Sequence, residues 1–433
     1  GHTIVLALDE RIQHIAEREL ERSMSETQAV AGSIVVVEPF SGDVLAMAGR
    51  PTFNPNRYSK YSASRWRNRM VSDVFEPGSI FKIVTAAAGI QEAVADPDEV
   101  LDCGNGFIRI SSTIIHDHKP FDRLSFREAV TRSSDIGMIR IAHRLGRENF
   151  YRYVRAFGFG EPTGVDLPGE SGGLLKPTAR WSDLSLPSMS FGQEVGVTPL
   201  QMVMATAAVA NGGYLMKPLI VKRVESVEGE LVKEMKPVIV RRVLEPDTVD
   251  VLTEMLKQVV REGTGRRAAV PGYVVAGKTG TAQKVDAATG RYSMVDHVAS
   301  FVGFTPASRP ELVILASLDT PRGARNQGGD VAAPLFARVA RHALRALAVP
   351  PDDAGRVLRA VAVTPETLVP AAYRPAVARK PLPPLADAPG IMPDLEGRSA
   401  REAAIAAARQ GLAVELSGSG RVVTQTPAPG TVI

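Results

Sequence analysis

The chain has 433 residues, of which 44% are apolar and 23% charged, and its formal net charge is +4 at pH 7. These values are ordinary for a globular protein of two or three domains, and no basic run interleaved with aromatics indicates nucleic-acid binding. A single cysteine, Cys103, excludes an internal disulfide and a multi-cysteine metal cluster. No stretch approaches the roughly 18 apolar residues that cross a bilayer, so we expect any membrane anchor to lie outside this chain.

The chain begins with a predicted strand and helix. Thr3–Leu8 is an apolar run of strand length, and Asp9 is suited to cap a helix that follows it. The helix would bury a single apolar face, which consists of Ile12, Ile15, Ala16 and Leu20. The opening segment therefore predicts an amphipathic helix that packs against a larger core.

Further strands are predicted near both ends of the first 348 residues. The apolar, β-rich runs are 32–38, 44–48, 274–277, 298–302 and 312–316. Pro39–Asp43 predicts a hairpin turn between the first two runs, and residues 334–348 predict a closing helix. Because the intervening chain is mostly helical in pattern, we predict an α+β fold whose sheet unites the two ends.

The amino-acid composition of the chain changes after residue 349. Nine prolines fall within residues 350–389, a composition that favours a semi-extended linker. Beyond it, Ser399–Arg409 predicts a helix and Val422–Thr426 a strand. We therefore predict three segments: a large α+β domain over residues 1–348, a proline-rich linker over 349–389 and a small α/β module over 390–433.

The strongest chemical motif is Glu76-Pro-Gly-Ser-Ile-Phe-Lys82, which precedes the helical run 83–88. Pro77 and Gly78 suit a tight turn, and a spacing of three residues places Ser79 and Lys82 on one helical face. A serine hydroxyl is a weak nucleophile that needs a base, and an unprotonated lysine can act as one. By itself the motif is weak, because a surface serine and lysine share a helical face by chance in most long chains.

Two further motifs make a chance origin improbable. Lys278-Thr-Gly-Thr281 follows an apolar strand, so that Lys278 and Thr279 can project toward a cleft, and Gly280 would let a substrate backbone approach closely. Thr131-Arg-Ser-Ser-Asp-Ile-Gly137 joins two helical runs and offers a hydroxyl, Ser133, that can relay a proton. In this order the three motifs form the signature of penicillin-recognising serine enzymes.

The chain resembles a class B penicillin-binding protein, a monofunctional peptidoglycan D,D-transpeptidase, over roughly residues 1–345. The resemblance implies the penicillin-binding transpeptidase fold, an antiparallel sheet flanked by helices plus a mostly helical subdomain. The Phe-Glu-Pro-Gly-Ser form at residues 75–79 is most similar to division and sporulation enzymes. Residues 392–430 resemble a PASTA repeat, a small module of several cell-wall enzymes. Other segments that carry the resemblance are 67–79, 190–202, 300–306 and 328–334.

The resemblance implies catalytic roles for three side chains. Ser79 would attack the penultimate D-Ala carbonyl of a peptidoglycan stem peptide, and β-lactam antibiotics would acylate the same hydroxyl. Lys82 would take its proton, and Ser133 would help pass that proton to the leaving amine. No cofactor and no metal is implied.

The resemblance also implies a substrate subsite, a location and partners. Lys278 and Thr279 would hold the terminal carboxylate of the donor, and the backbone N–H groups of Ser79 and Thr281 would form an oxyanion hole. The catalytic domain would lie on the extracytoplasmic, periplasmic side of the cell membrane. A membrane glycosyltransferase and other division proteins are the expected partners.

One position departs from the family pattern, because the chain has Ser133-Ser-Asp135 where the family has S-x-N. Asparagine donates and accepts, whereas an ionised aspartate only accepts. A carboxylate near Lys82 would also stabilise its ammonium form and oppose its role as base. Alternatively, Asp135 is a tolerated variant that points elsewhere or is protonated.

Several alternatives remain open at this point. Alternate residues of a strand share a face, so His116 and His118 are candidate zinc ligands, although no third ligand is evident. Cys103 in its Gly/Asn loop is a weak candidate for a catalytic thiol. A serine β-lactamase or β-lactam sensor of the same fold would carry the same motifs. A catalytically impaired wall-binding scaffold would explain Asp135 and the tail.

Overall fold

The structure is a computed structural model. It describes residues 1–286 and 289–352 and, nearer the C-terminus, residues 392–396, 398, 403, 406, 407, 422–429, 431 and 432. The chain divides into two compact units, Gly1–Ala362 and Val363–Ile433. Most of the predicted linker, 349–389, lies outside the described residues. Among the helices of the described part, none has the length and apolar character that a bilayer crossing requires.

The strands of the first unit form one main sheet and several small ones. They are β1 Thr3–Leu6, β2 Ala31–Val37, β3 Val44–Arg50, β4 Val100–Asp102, β5 Phe107–Ile110, β6 Thr113–His116, β7 Arg123–Ser125, β8 Tyr214–Met216, β9 Val221–Glu225, β10 Leu231–Glu234, β11 Ile239–Arg242, β12 Ala276–Val285, β13 Tyr292–Thr305 and β14 Leu312–Asp319. The main sheet has the order β12-β13-β14-β2-β3, and all of its neighbours are antiparallel. Because β14 pairs with β2, Leu315 opposite Val35, the sheet unites the two ends of the domain as predicted.

Helices cover both faces of this sheet. They are α1 Glu10–Thr27, α2 Arg69–Ser72, α3 Lys82–Gln91, α4 Phe126–Arg132, α5 Asp135–Leu145, α6 Arg147–Ala156, α7 Ser185–Ser190, α8 Pro199–Ala210, α9 Pro246–Arg261 and α10 Gly328–Ala346. α1 and α10 pack on one face, and the predicted apolar stripe of α1 is buried there. Asp9 caps α1 as predicted, since its carboxylate accepts the backbone N–H groups of Arg11 and Ile12.

The opposite face of the sheet continues into a mostly helical region. α8 is buried along its whole length and packs on β2, β13 and β14. α3 packs against α5, α6 and α9, and the residues of α3 from Lys82 to Gly89 are all buried. A second large apolar cluster therefore surrounds α3 and fixes its first turn beside the edge strand β12. The predicted α+β fold is confirmed.

The closing helix begins earlier than predicted, at Gly328 rather than Pro334. The two glycines at its start have low helix propensity, so the sequence pattern alone does not reveal this turn. Tertiary contacts stabilise it, because the Thr281 hydroxyl accepts the Gly328 N–H at 3.0 Å. A Cβ on Gly328 would lie 2.1 Å from the Gly280 carbonyl oxygen, so only glycine permits this approach.

In the second unit, the described residues include a small apolar cluster of Met392, Leu395, Ala403 and Ala406. Residues 403, 406 and 407 of the predicted helix are helical. The strand predicted over Val422–Thr426 is wrong, because these residues are irregular or bent. The Gln425 side chain instead accepts the Leu395 N–H at 2.7 Å and donates to the Pro393 carbonyl at 3.0 Å.

Candidate active site

The segment that carries Ser79 is a tight turn at the start of α3. Residues Gly78–Phe81 form one 3₁₀ turn that runs directly into α3. Gly78 has φ +55°, and its N–H donates to the Gly192 carbonyl at 3.0 Å. A Cβ on Gly78 would lie 3.0 Å from the Cβ of Ala282 on β12, so the turn is held closely against the edge strand. Ser79 is half-buried and lines a cleft.

Lys82 lies one turn further along, and its side chain is fully buried. Its Nζ is 2.6 Å from Asp135 Oδ1 and donates to the Ser133 carbonyl at 2.7 Å and to Ser133 Oγ at 3.2 Å. Within the described part of the chain, the Ser79 hydroxyl has no hydrogen-bond partner. Lys82 is thus held by the second motif, through Ser133 and Asp135.

Ser133 lies between α4 and α5 in the left-handed conformation, with φ 62° and ψ 42°. This conformation is uncommon for a residue with a side chain. Its hydroxyl oxygen accepts from Lys278 Nζ at 2.8 Å and from Lys82 Nζ at 3.2 Å. The serine therefore bridges two lysines that come from a helix and from the edge strand.

Lys278 is fully buried on β12. Besides Ser133, its Nζ donates to the Thr279 carbonyl at 3.1 Å. Burial lowers the pKa of the Lys278 ammonium well below its usual range, and the positive charge of Lys82 lowers it further. The two lysines are like charges at one hydroxyl, and Asp135 is the carboxylate that faces them.

The three residues after Lys278 make separate contacts. The Thr279 hydroxyl is hydrogen-bonded to the Thr264 hydroxyl at 2.6 Å. Thr281 caps α10 through the contact described above. A Cβ on Gly280 would lie 3.0 Å from both the Pro77 carbonyl oxygen and Ile80 Cγ2. In this structure Gly280 thus permits close approach of the turn that carries Ser79, whereas we predicted close approach of a substrate backbone.

All three motifs meet at one cleft of about 780 Å³. β12 is an edge strand, so the backbone groups that do not pair with β13 face away from the sheet. Lys82 and Lys278 are fully buried behind the residues that line the cleft. The predicted site residues that line the cleft are Ser79, Ser133, Asp135, Thr279, Gly280 and Thr281.

Sequence reasoning missed the structural roles of two residues near the site, of which Thr264 lines the cleft. Thr264, which follows α9, supports Thr279, and only its Gly-Thr-Gly setting marks it in the sequence. Glu76 was noted only as part of its motif; its carboxylate accepts from the Glu194 N–H at 2.9 Å and from the Tyr292 hydroxyl at 3.2 Å. Burial raises the pKa of Glu76. These contacts tie the turn before Ser79 to β13.

The candidate zinc ligands lie beside the cleft. β6 ends at His116, and His118 lines the cleft with its ring 5.7 Å from that of Phe121. The described residues contain no group of three or more His, Cys, Asp or Glu side chains arranged to hold a metal. Asp117, between the two histidines, is buried and faces α5. Cys103 is buried, and burial raises the pKa of its thiol.

Comparison with known families agrees with this geometry. The model for the penicillin binding protein transpeptidase domain matches residues 32–341, which is most of the chain. The chain belongs to this family. The PASTA domain model matches residues 390–433. The predicted resemblance to a class B penicillin-binding protein with a C-terminal PASTA module is therefore confirmed.

Curated relatives and solved structures of penicillin-binding proteins match 81% of the chain. Stage V sporulation protein D of Bacillus subtilis is 37% identical over 355 residues, covering 81% of this chain and 55% of its own. Peptidoglycan D,D-transpeptidase FtsI of Escherichia coli is 33% identical, covering 81% and 58%. The crystal structure of penicillin binding protein 3 from Mycobacterium tuberculosis complexed with aztreonam has a TM-score of 0.76 at 36% identity, covering 81% and 80%. The chain spans a little over half the length of these curated relatives.

Proposed function

We propose that this penicillin-binding protein is a serine D,D-transpeptidase that cross-links peptidoglycan, with Ser79 as the nucleophile. The observation that carries the proposal is the Ser133 hydroxyl, which lies between the buried Lys82 and Lys278 in the cleft that Ser79 lines. Relatives named D,D-transpeptidases, and a relative crystallised with a β-lactam, support it.

In the proposed acylation, Ser79 Oγ attacks the penultimate D-Ala carbonyl carbon of a stem peptide. Lys82 accepts the hydroxyl proton, and the backbone N–H groups of Ser79 and Thr281 stabilise the oxyanion. The C–N bond then breaks, and the proton passes by way of Ser133 to the leaving D-Ala amine. The 3.2 Å contact between Lys82 Nζ and Ser133 Oγ provides this path.

The terminal carboxylate of the donor peptide would bind at Thr279, which lines the cleft, and the positive charge of the buried Lys278 behind it would attract the carboxylate. Thr264 holds the Thr279 hydroxyl, so it supports this subsite. The acyl ester on Ser79 then awaits the amine of a neighbouring stem peptide, whose attack forms the cross-link and frees the serine. With a β-lactam, the leaving nitrogen stays attached through the opened ring, so the adduct persists.

Asp135 has a specific role in this proposal. Its carboxylate, 2.6 Å from Lys82 Nζ, favours positive charge on Lys82, whereas only the neutral amine can accept the Ser79 proton. Asp135 therefore slows acylation without abolishing it. A variant with asparagine would present an amide to the substrate as well.

We also propose where and with whom the domain acts. Stem peptides lie outside the cytoplasmic membrane, so the catalytic domain would work on the extracytoplasmic side. Similarity to stage V sporulation protein D and to FtsI favours a role in septal or related wall synthesis. A membrane glycosyltransferase and division proteins are the proposed partners.

The test is mass spectrometry after incubation with penicillin. A single stable adduct on the peptide that contains Ser79, absent in Ser79→Ala, supports the proposal. Ser72→Ala is the matched control: among the residues that the structure describes, the Ser72 hydroxyl bonds only to the neighbouring Asp73. Its loss should leave labelling unchanged. Fast turnover of the adduct would identify a β-lactamase, no reaction would identify a scaffold, and an adduct elsewhere would refute the assignment of Ser79. Release of D-Ala from a D-Ala-D-Ala peptide, with joining to an acceptor amine, checks the natural reaction.

A further inference from the structure

Asp117 follows β6, between the two candidate zinc ligands, and its side chain is directed at the first turn of α5. Its Oδ1 accepts the backbone N–H of Asp135 at 2.5 Å and that of Ile136 at 3.2 Å. Its Oδ2 accepts the Ser134 hydroxyl at 2.7 Å. Three donors from one turn therefore converge on a single buried carboxylate from the segment that follows β6.

Asp117 and Ser134 together satisfy the start of α5. Ser134 is the N-cap, and its Oγ accepts the Gly137 N–H at 2.9 Å. Asp117 accepts the N–H groups of Asp135 and Ile136, the two residues that precede Gly137. The first three N–H groups of the helix, which have no partner within the helix itself, are thus all hydrogen-bonded. An external carboxylate is also favoured there by the helix dipole.

This anchoring fixes the residue that immediately precedes the cap, Ser133. On the α4 side, the Ser133 N–H donates to the Val130 carbonyl at 3.2 Å and the Ser134 N–H to the Ala129 carbonyl at 2.8 Å. On the α5 side, Asp117 holds the turn. A left-handed conformation at a non-glycine residue persists only where its surroundings impose it, and here both flanks are tied.

We propose that Asp117 is a positioning residue for acyl transfer. Its carboxylate holds the turn from Ser133 to Asp135 so that the Ser133 hydroxyl stays between Lys82 and Lys278. The inference rests on the proposed function, because it assigns Asp117 to the step in which Ser133 passes a proton. It predicts an effect on the rate of acylation rather than on the binding of the β-lactam.

The test is Asp117→Asn, with labelling by a fluorescent penicillin measured over a range of concentrations. An amide oxygen can accept from the Asp135 and Ile136 N–H groups or from the Ser134 hydroxyl, but the NH₂ group then faces a donor. We expect the acylation rate constant to fall by about tenfold to a hundredfold, with the dissociation constant of the non-covalent complex changing by less than about twofold.

The matched control is Asp9→Asn. Asp9 caps α1 with the same kind of contacts, at 2.9 Å to the Arg11 N–H and 3.3 Å to the Ile12 N–H, and it does not line the cleft. Both variants should unfold at a lower temperature, but only Asp117→Asn should acylate slowly. In a Ser133→Ala background, Asp117→Asn should cause little further loss, because Asp117 acts through Ser133.

The inference would be overturned if Asp117→Asn were acylated at the wild-type rate, or if Asp9→Asn lost as much of its acylation rate as Asp117→Asn. Either result would leave the proposed function intact. If Asp117→Asn does not fold, Ser134→Ala takes its place, since it removes one contact with Asp117; an unchanged acylation rate in that variant would also overturn it. Absence of acylation in the wild type would overturn the proposed function and this inference together.

Discussion

Two cationic side chains, Lys82 and Lys278, share one serine hydroxyl, and both are fully buried. Burying a charge costs free energy unless an opposite charge faces it, and Asp135 already pairs with Lys82. Among the described residues, Lys278 has no carboxylate within ion-pair distance, and burial lowers the pKa of its ammonium. We therefore expect the buried ammonium of Lys278 to lower the free energy of unfolding of the domain.

The first prediction is that Lys278→Met stabilises the domain while it weakens binding of the carboxylate of a β-lactam. Removing the buried cation should raise the free energy of unfolding near neutral pH by about 1 kcal/mol, or the midpoint by about 2 °C. Lys284→Met is the control on the same strand, because Lys284 is partly exposed and paired with Asp319, and its loss should be neutral or mildly destabilising.

The pH dependence of this gain has a definite sign. The unfolded chain keeps the Lys278 proton up to about its ordinary pKa of 10.5, while the folded chain releases it at lower pH. Because the unfolded state then binds more protons, wild-type stability rises with pH in that window. The advantage of Lys278→Met should shrink accordingly. Thermal unfolding of both proteins from about pH 6 to about pH 10 measures it, and a variant less stable at every pH would contradict the prediction.

The second prediction concerns Asp135, whose carboxylate faces Lys82 rather than solvent alone. Asp135→Asn removes a charge that stabilises the ammonium form of the base and adds an amide donor at nearly constant shape. We expect acylation by penicillin to be about tenfold faster, which corresponds to about 1.4 kcal/mol. Stopped-flow acylation rates of the variant and the wild type measure the gain.

Asp296→Asn is the control for this experiment. Asp296 lines the same cleft but pairs with Arg322, at 3.1 Å, so its removal should leave the acylation rate nearly unchanged. Equal rates for wild type and Asp135→Asn would show that the carboxylate does not oppose Lys82.

At the scale of elements, the edge strand and the closing helix depend on each other. Thr281 on β12 supplies the hydroxyl that accepts the N–H of Gly328, the first residue of α10. The third prediction is that Thr281→Val, of similar shape but without the acceptor, lowers the free energy of unfolding by about 1 kcal/mol. Thr281→Ser keeps the hydroxyl and should retain most of the stability. Thermal unfolding of the three proteins decides it, and equal midpoints for the Val variant and wild type would exclude a capping role.

The same elements show what the sequence predicts well and what it does not. Apolar pattern predicted the existence of β12, β13 and β14, but placed the end of the first at Gly277, whereas it runs to Val285. The polar and glycine-rich Lys278–Thr281 motif has little strand propensity, and pairing with β13 extends the strand through it. Tertiary pairing, which a single sequence does not display, decides such boundaries.

The residues of the candidate site also include some that the sequence predicted and some that it did not. Motif spacing brought Ser79, Lys82, Ser133 and Lys278 together, because family resemblance relates residues that lie far apart in the chain. It did not reveal Asp117, which has no motif of its own and acts through backbone N–H groups. Nor did it show that Asp135 would contact Lys82, since the direction of a side chain in a turn depends on long-range packing.

At the scale of the whole molecule, the four residues after Ala348 belong with the first unit. The Tyr273 hydroxyl donates to the Val349 carbonyl at 2.7 Å, and the Val274 N–H donates to Asp352 Oδ1 at 2.8 Å. These residues were predicted as the start of the linker. They extend the folded chain along the strand region that leads into β12.

The fourth prediction is that a chain that ends at Asp352 folds and is acylated by penicillin at the wild-type rate. All three motifs lie before Ser300, and the contacts of Val349 and Asp352 are retained. A matched chain that ends at Ala348 lacks four hydrogen bonds, because the Ser308 hydroxyl also donates to Asp352 Oδ2 and the Val349 N–H donates to the Leu344 carbonyl. It should unfold at a temperature lower by roughly a few degrees, since each hydrogen bond contributes about 1 kcal/mol. Limited proteolysis of the full chain should also cut within the proline-rich residues 353–389 and release a fragment that ends at Ile433. Labelling with fluorescent penicillin and thermal unfolding compare the full chain with the chains that end at Asp352 and at Ala348. Loss of labelling in the chain that ends at Asp352 would mean that the PASTA module or the linker completes the active site.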